Sequence, residues 1–167
     1  MYDELTQVDI KKMQDEIDYR TKVLRPQLID DVKVAREFGD LSENFEYKAA
    51  KREKNRNDSR VRYLERMIST AKVISGESKT DVVGLFDKVE VYFEEDDETQ
   101  LIQIVTTLRQ NALKGLISKE SPVGKALLGH KVGDRLRIDV NEDYSYYIVI
   151  RSVEKGQDDD SLPISAF

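Results

Sequence analysis

The chain has 167 residues, enough for one domain or two small ones, and its 39% hydrophobic and 36% charged content describes a highly charged globular protein with net charge −6. It has no cysteine and a single histidine, His130, which excludes disulfides and Cys-type zinc sites and argues against a His-rich metal site or a serine-hydrolase triad. No apolar run approaches the ~18–20 residues needed to span a bilayer, and the N-terminus opens acidic without an apolar core, so a cytoplasmic protein is expected.

Residues 5–38 read as helix, because Ile10, Met13, Ile17, Leu24, Leu28, Val32 and Ala35 recur at helical spacing on one face. Pro26 lacks an amide hydrogen and disfavours helical geometry at Arg25, which predicts a kink or restart there. Residues 44–73 read as a second helix, with Ala50, Lys54, Asn57, Val61, Leu64, Ile68 and Ala71 along its seam. Lys54 and Asn57 in that seam predict weaker packing toward the turn. So short a connection makes the two helices antiparallel, an arm roughly 45 Å long at 1.5 Å per residue. Between them runs Gly39-Asp40-Leu41-Ser42-Glu43-Asn44. Gly39 suits the residue after a helix C-terminus, while Asp40 and Ser42 suit N-caps, with Glu43 three positions after the first and Glu46 four after the second. Asp40 and Glu43 are therefore either helix caps or an acidic pair presented at the end of the arm.

The charge is uneven. Between residues 48 and 66, Lys48, Lys51, Arg52, Lys54, Arg56, Arg60, Arg62 and Arg66 face only Glu53, Asp58 and Glu65. A basic stripe beside an acidic tip points either to a polyanion or to a solvated face of paired charges.

Residues 76–82 are polar and turn-forming and read as a linker between an N-terminal unit, 1–75, and a C-terminal one, 83–155. There the period changes to two: 88–93 and 100–106 alternate as strands around the acidic run 94–98. Residues 121–129 form a short helix, with Ser121 at its N-cap, Pro122 in its first turn and Gly129 at its end. Residues 135–140 and 144–153 alternate again, which completes a small antiparallel α+β domain. The acidic tail, 156–167, is expected to be mobile. No phosphate-binding glycine loop, nucleophile elbow or His metal spacing occurs.

The string Ala35-Arg36-Glu37-Phe38-Gly39-Asp40-Leu41-Ser42-Glu43-Asn44, continued by Glu46-Tyr47 and Ala49-Ala50, closely resembles the tip of the bacterial Gre transcript cleavage factors. Ile117-Ser118, the stretch 121–129 and Gly133-Asp134 resemble that family's C-terminal signature, and Arg25-Pro26 matches a pair in its first helix. The resemblance spans about residues 5–154. It implies a coiled-coil hairpin that enters the secondary channel of RNA polymerase and an FKBP-like domain that holds the channel rim. The carboxylates of Asp40 and Glu43 would help bind a magnesium ion in the polymerase's own active centre, so that backtracked RNA is cut. On this reading the factor is not a free-standing enzyme. It acts as a monomer on RNA polymerase and the nascent RNA 3′ end, with no membrane partner and no cofactor bound alone. Arg36, Lys48 and Arg52 would contact RNA, and Glu120, Ser121 and Pro122 the polymerase rim.

Phe45 departs from the family, which commonly has a small residue there; the acidic tail is long, and the run 94–98 is unusual. These leave room for a non-cleaving channel-binding regulator. From pattern alone a coiled-coil adaptor also remains open, and fold by itself licenses no isomerase activity in the second domain.

Overall fold

The computed structural model describes residues 3–39, 44–77 and 79–166. They divide into two compact units, a helical one of Ile10–Ala71 and a globular one made from the residues up to Asp9 together with Lys72–Ala166. The expected boundary at 75/76 therefore moves to 71/72, and the chain's first residues join the second unit. Among the described residues no helix is long and apolar enough to cross a membrane.

The helical unit is a hairpin. Its first limb is α1 (Gln7–Tyr19), a π-helical turn (Arg20–Leu24) and α2 (Arg25–Arg36). Pro26 causes the interruption: with no N–H to give a carbonyl four residues back, the chain widens by one residue, and the Arg25 N–H bonds the Arg20 carbonyl instead. The kink read at Arg25 thus takes the form of a π-turn just before it. The second limb, α3 (Phe45–Thr70), runs 26 residues, roughly 39 Å. Met13, Ile17, Val32, Ala35 and Leu64 are buried along the seam, as the periodicity required.

The polar seam is held by hydrogen bonds, and Arg20, Leu24, Leu28, Glu53, Arg56 and Asn57 line a pocket of about 200 Å³ beside it. Asn57 is 3% exposed and bonded at both polar atoms: its Nδ2 donates to the Arg20 carbonyl at 3.1 Å, and its Oδ1 accepts from Arg20 Nη1 at 3.0 Å. Glu16 accepts from both Arg20 and the buried Arg60, the latter at 2.7 Å. Asp58 bridges Arg25 and Lys54, each at 3.1 Å.

The globular unit holds two sheets. Strands β1 (Glu4–Leu5) and β2 (Lys72–Val73) pair in parallel. The larger sheet contains β3 (Lys88–Phe93), β4 (Glu98–Val105), β5 (Leu116–Ser118), β6 (Arg135–Asp139) and β7 (Ser145–Glu154) in the order β5-β4-β3-β7-β6. Because β5 pairs in parallel with β4 while the other pairs are antiparallel, this sheet is mixed, not wholly antiparallel as read from the sequence. Val89, Val91, Ile102, Ile104, Ile148 and Ile150 form its buried face, joined by Leu127 of α4 (Pro122–Leu127).

The acidic tail is part of this unit. Leu162 packs against the core, and Ser165 donates to the Leu108 carbonyl through both its N–H and its hydroxyl at 2.7 Å. At the root of the tail, a Cβ on Gly156 would lie 1.8 Å from the Phe86 carbonyl oxygen, so only glycine lets these backbones meet. Asp158 reaches Arg109, whose side chain is fully buried. The Arg109 guanidinium donates to Asp9 and Asp158, each at 2.5 Å, and to the Thr6 hydroxyl at 3.1 Å, with the Phe86 ring 4.8 Å away. Phe167 lies outside the described residues.

Two predictions follow from these charges. Arg109→Ala strands the fully buried Asp9 carboxylate without its cation and should cost about 3–5 kcal/mol; urea denaturation of the full chain measures it, and a loss under about 1 kcal/mol contradicts the network's role. Asp58 is a milder case. Burial works against its ionisation, but hydrogen bonds from Lys54 and Arg25 outweigh it and hold the carboxyl below its ordinary value. A depressed folded-state pKa gives stabilisation that is complete above the unfolded value and lost as pH falls through the folded one. Wild type should therefore exceed Asp58→Asn by about 0.5–1 kcal/mol at neutral pH, and the gap should close below about pH 4. Circular dichroism melts across pH check this, and a gap independent of pH refutes it.

Candidate functional site at the turn of the hairpin

Helix α2 ends in a tightened turn, with Glu37 N–H bonding Val34 O at 3.1 Å and Phe38 N–H bonding Ala35 O at 3.2 Å. Gly39 follows at φ +131°, a backbone conformation that side chains rarely adopt, though nothing lies within 4 Å of where a Cβ would stand. Backbone strain, not crowding, calls for glycine here. Residues 40–43, and with them Asp40 and Glu43, lie outside the described residues.

The chain is described again at Asn44, which is the N-cap of α3. Its Oδ1 accepts from the Tyr47 N–H at 3.0 Å, while its Nδ2 donates to the Ala35 carbonyl at 2.6 Å. One side chain thus caps the second limb and fastens it to the last turn of the first. The caps expected from sequence, Asp40 and Ser42, lie outside the described residues; the cap of α3 is Asn44. An amide carries an acceptor and donors together, so it satisfies an orphan N–H of one helix while donating to a carbonyl of the other, which an ionised carboxylate cannot do.

Past the cap, cations and aromatic rings interleave. Phe38 and Phe45 are exposed, 69% and 80%. Lys48 Nζ stands 5.7 Å from the Phe45 ring centre, and Arg36 and Lys51 stand 5.4 and 5.9 Å from that of Tyr47. Hydrogen bonding to Arg36, helped by the charge of Lys51, holds the Tyr47 phenol below its ordinary pKa. Farther along α3, Lys48, Lys51, Arg52, Asn55, Arg56 and Ser59 line one shallow groove of about 580 Å³. Of the stripe read from the sequence, Lys54 and Arg60 turn to internal carboxylates, Asp58 and Glu16. The structure therefore brings Lys48 and Arg52 together and joins Arg36 to Lys51 through Tyr47. Tyr47 and Lys51 carried no assigned role in the sequence reading; their i, i+4 spacing was the available signal.

Glu120, Ser121 and Pro122 lie in the globular unit, where each has a local task. Ser121 caps α4 by accepting from the Gly124 N–H at 3.0 Å and donates to the Ser118 carbonyl at 2.7 Å. Pro122 occupies the first helical turn. Glu120 is half exposed and pairs with Lys119 at 3.1 Å and Lys125 at 3.7 Å.

Comparison with known proteins joins both units to one family. A family model described as the N-terminal part of a transcription elongation factor matches residues 4–73, and one described as the C-terminal part of transcription elongation factor GreA/GreB matches residues 77–155. The transcription elongation factor GreA of Mesoplasma florum is 40% identical over 146 residues, covering 86% of this chain and 94% of that protein. That of Thermoanaerobacter pseudethanolicus is 42% identical over 137 residues, covering 81% and 87%. A crystal structure of GreA factor homolog 1 from Thermus thermophilus is 26% identical and covers 93% of this chain and all of that one; its TM-score of 0.42 is too loose to add to the assignment. The chain belongs to the GreA/GreB family of transcription elongation factors.

Proposed function

We propose that this chain binds RNA polymerase, inserts its helical hairpin into the secondary channel, and stimulates the polymerase's own cleavage of backtracked RNA. The observation that supports the reading most is how the chain enters and leaves the acidic segment. Both acids fall in a four-residue segment whose ends are set by Gly39 at positive φ and by the doubly bonded Asn44. That segment connects α2 to α3, so a partner's active centre that received the end of the hairpin would meet it.

Asp40 and Glu43 would offer hard carboxylate oxygens, the donor class that suits Mg²⁺. Two carboxylates fill only part of an octahedral shell, so the donor set fits an ion shared with the polymerase and not one held by this chain alone. Such an ion, when bound, supplies Lewis-acid activation of water at the scissile phosphate. The chain's own part is to bring negative charge and oxygens to that point. Lys48, Arg52 and Arg36 would meet RNA phosphates along α3, and Glu120, Ser121 and Pro122 would meet the channel rim. On this reading the chain completes another protein's catalytic site and is not an enzyme by itself.

One observation favours a second reading, a channel-binding regulator that does not cleave. Phe45 is 80% exposed directly after the acidic turn and makes the tip bulkier and more apolar than two acids require.

Cleavage of 5′-labelled RNA in a defined backtracked complex separates the two. Asp40→Ala or Glu43→Ala should slow cleavage on the order of 10²–10³-fold while retaining competition for polymerase binding. Undiminished cleavage by both variants overturns the proposal. Inhibited run-off synthesis with no shortening of the RNA by wild type selects the regulator.

A further inference from the structure

An exposed phenylalanine on a helix so rich in charge calls for a use. At position one of α3, Phe45 is 80% exposed and takes no part in the hairpin seam, so it forgoes the stabilisation that burying its ring would bring. Its neighbours are cations. Lys48, one turn on, stands 5.7 Å from the ring centre, and the groove of Lys48, Lys51 and Arg52 begins there. Among the described residues no carboxylate pairs with these three, whereas Lys54 and Arg60 on the same helix are paired.

We propose that Phe45 is a stacking platform for one nucleobase of single-stranded RNA, with Lys48, Lys51 and Arg52 taking the phosphates that follow. A flat apolar ring beside a cluster of cations matches the two halves of a nucleotide, a π-face and a phosphate. A protein partner docking on apolar surface would want neighbouring apolar groups, and Phe45 is followed by Glu46, Tyr47 and Lys48. Duplex bases are covered on both faces, so the strand must be single. The assignment of RNA rests on the cleavage reading above, in which the displaced strand is the nascent transcript; the stacking chemistry itself does not.

The test uses the full chain without polymerase, so that its failure is separate from failure of the cleavage reading. Fluorescence anisotropy compares a labelled single-stranded oligoribonucleotide, its abasic counterpart and a DNA strand of the same sequence. Wild type should prefer the base-containing RNA to the abasic strand. Phe45→Ala and Phe45→Leu should each lose roughly 5- to 150-fold in affinity for the base-containing strand, and neither should change affinity for the abasic one. Phe45→Trp should restore or exceed wild-type binding; because the position is exposed, all three variants should fold. Equal wild-type binding to RNA with and without bases overturns the proposal, as does a Leu variant that binds like wild type. A DNA strand that binds more tightly than RNA overturns the assignment of the ligand.

Discussion

A buried guanidinium cannot be left without countercharge, and Arg109 imposes that condition on the whole globular unit. Its partners come from opposite ends of the chain: Asp9 lies 100 residues before it and Asp158 lies 49 after. The N-terminal residues must therefore fold back beside the 3₁₀ turn that carries Arg109, and the tail must return to the same point. Leu5, fully buried, and the β1–β2 pairing hold one end, while Leu162 and Ser165 hold the other. Well-packed apolar side chains of the same volume could match the stability of such a cluster. What ions add is selectivity, since only segments that bring carboxylates can close around it.

The helical unit solves a related problem with neutral groups. Pro26 leaves helix carbonyls poorly served, and the π-turn before it is the backbone's adjustment. The Arg20 carbonyl then accepts from both the Arg25 N–H and Asn57 Nδ2. Read along its own helix, Asn57 is a polar defect in an apolar seam. Across the hairpin it meets the first limb's irregularity, so one departure from regularity accommodates the other. Glu16, serving Arg20 and Arg60 together, extends the same arrangement.

These contacts also mark how far the sequence could be read. Helical period and strand alternation are local signals, so the limbs, the β3–β4 hairpin and the last two strands were legible nearly to their ends. Strands β1 and β2 have two residues each, too short for any period, and the parallel placement of β5 depends on a partner brought close by the core. The tail read as mobile because it is acidic and only mildly apolar; Asp158 is held instead by a cation 49 residues away. At the candidate site, the turn and its acids were legible as a motif, and the basic stripe as composition. Which bases face inward was not, because Lys54 and Arg60 are sorted by the positions of Asp58 and Glu16, one of them on the other limb.

The N-cap is where reading and structure differ most usefully. Asp40 and Ser42 looked like helix caps because their side chains suit that role, and capping alone would have explained an acidic turn. Asn44 fills the role in the structure, with an amide that serves both limbs at once. Helix α3 then begins at Phe45 and requires neither Asp40 nor Ser42 as its cap. With α3 capped by Asn44, the two acids are not needed as its cap, which leaves them available for the role proposed above. The same cap fixes Phe45 as the first residue of the helix, immediately beside that turn. The Asn44 side chain thus anchors the start of α3 and, with it, the exposed ring of Phe45.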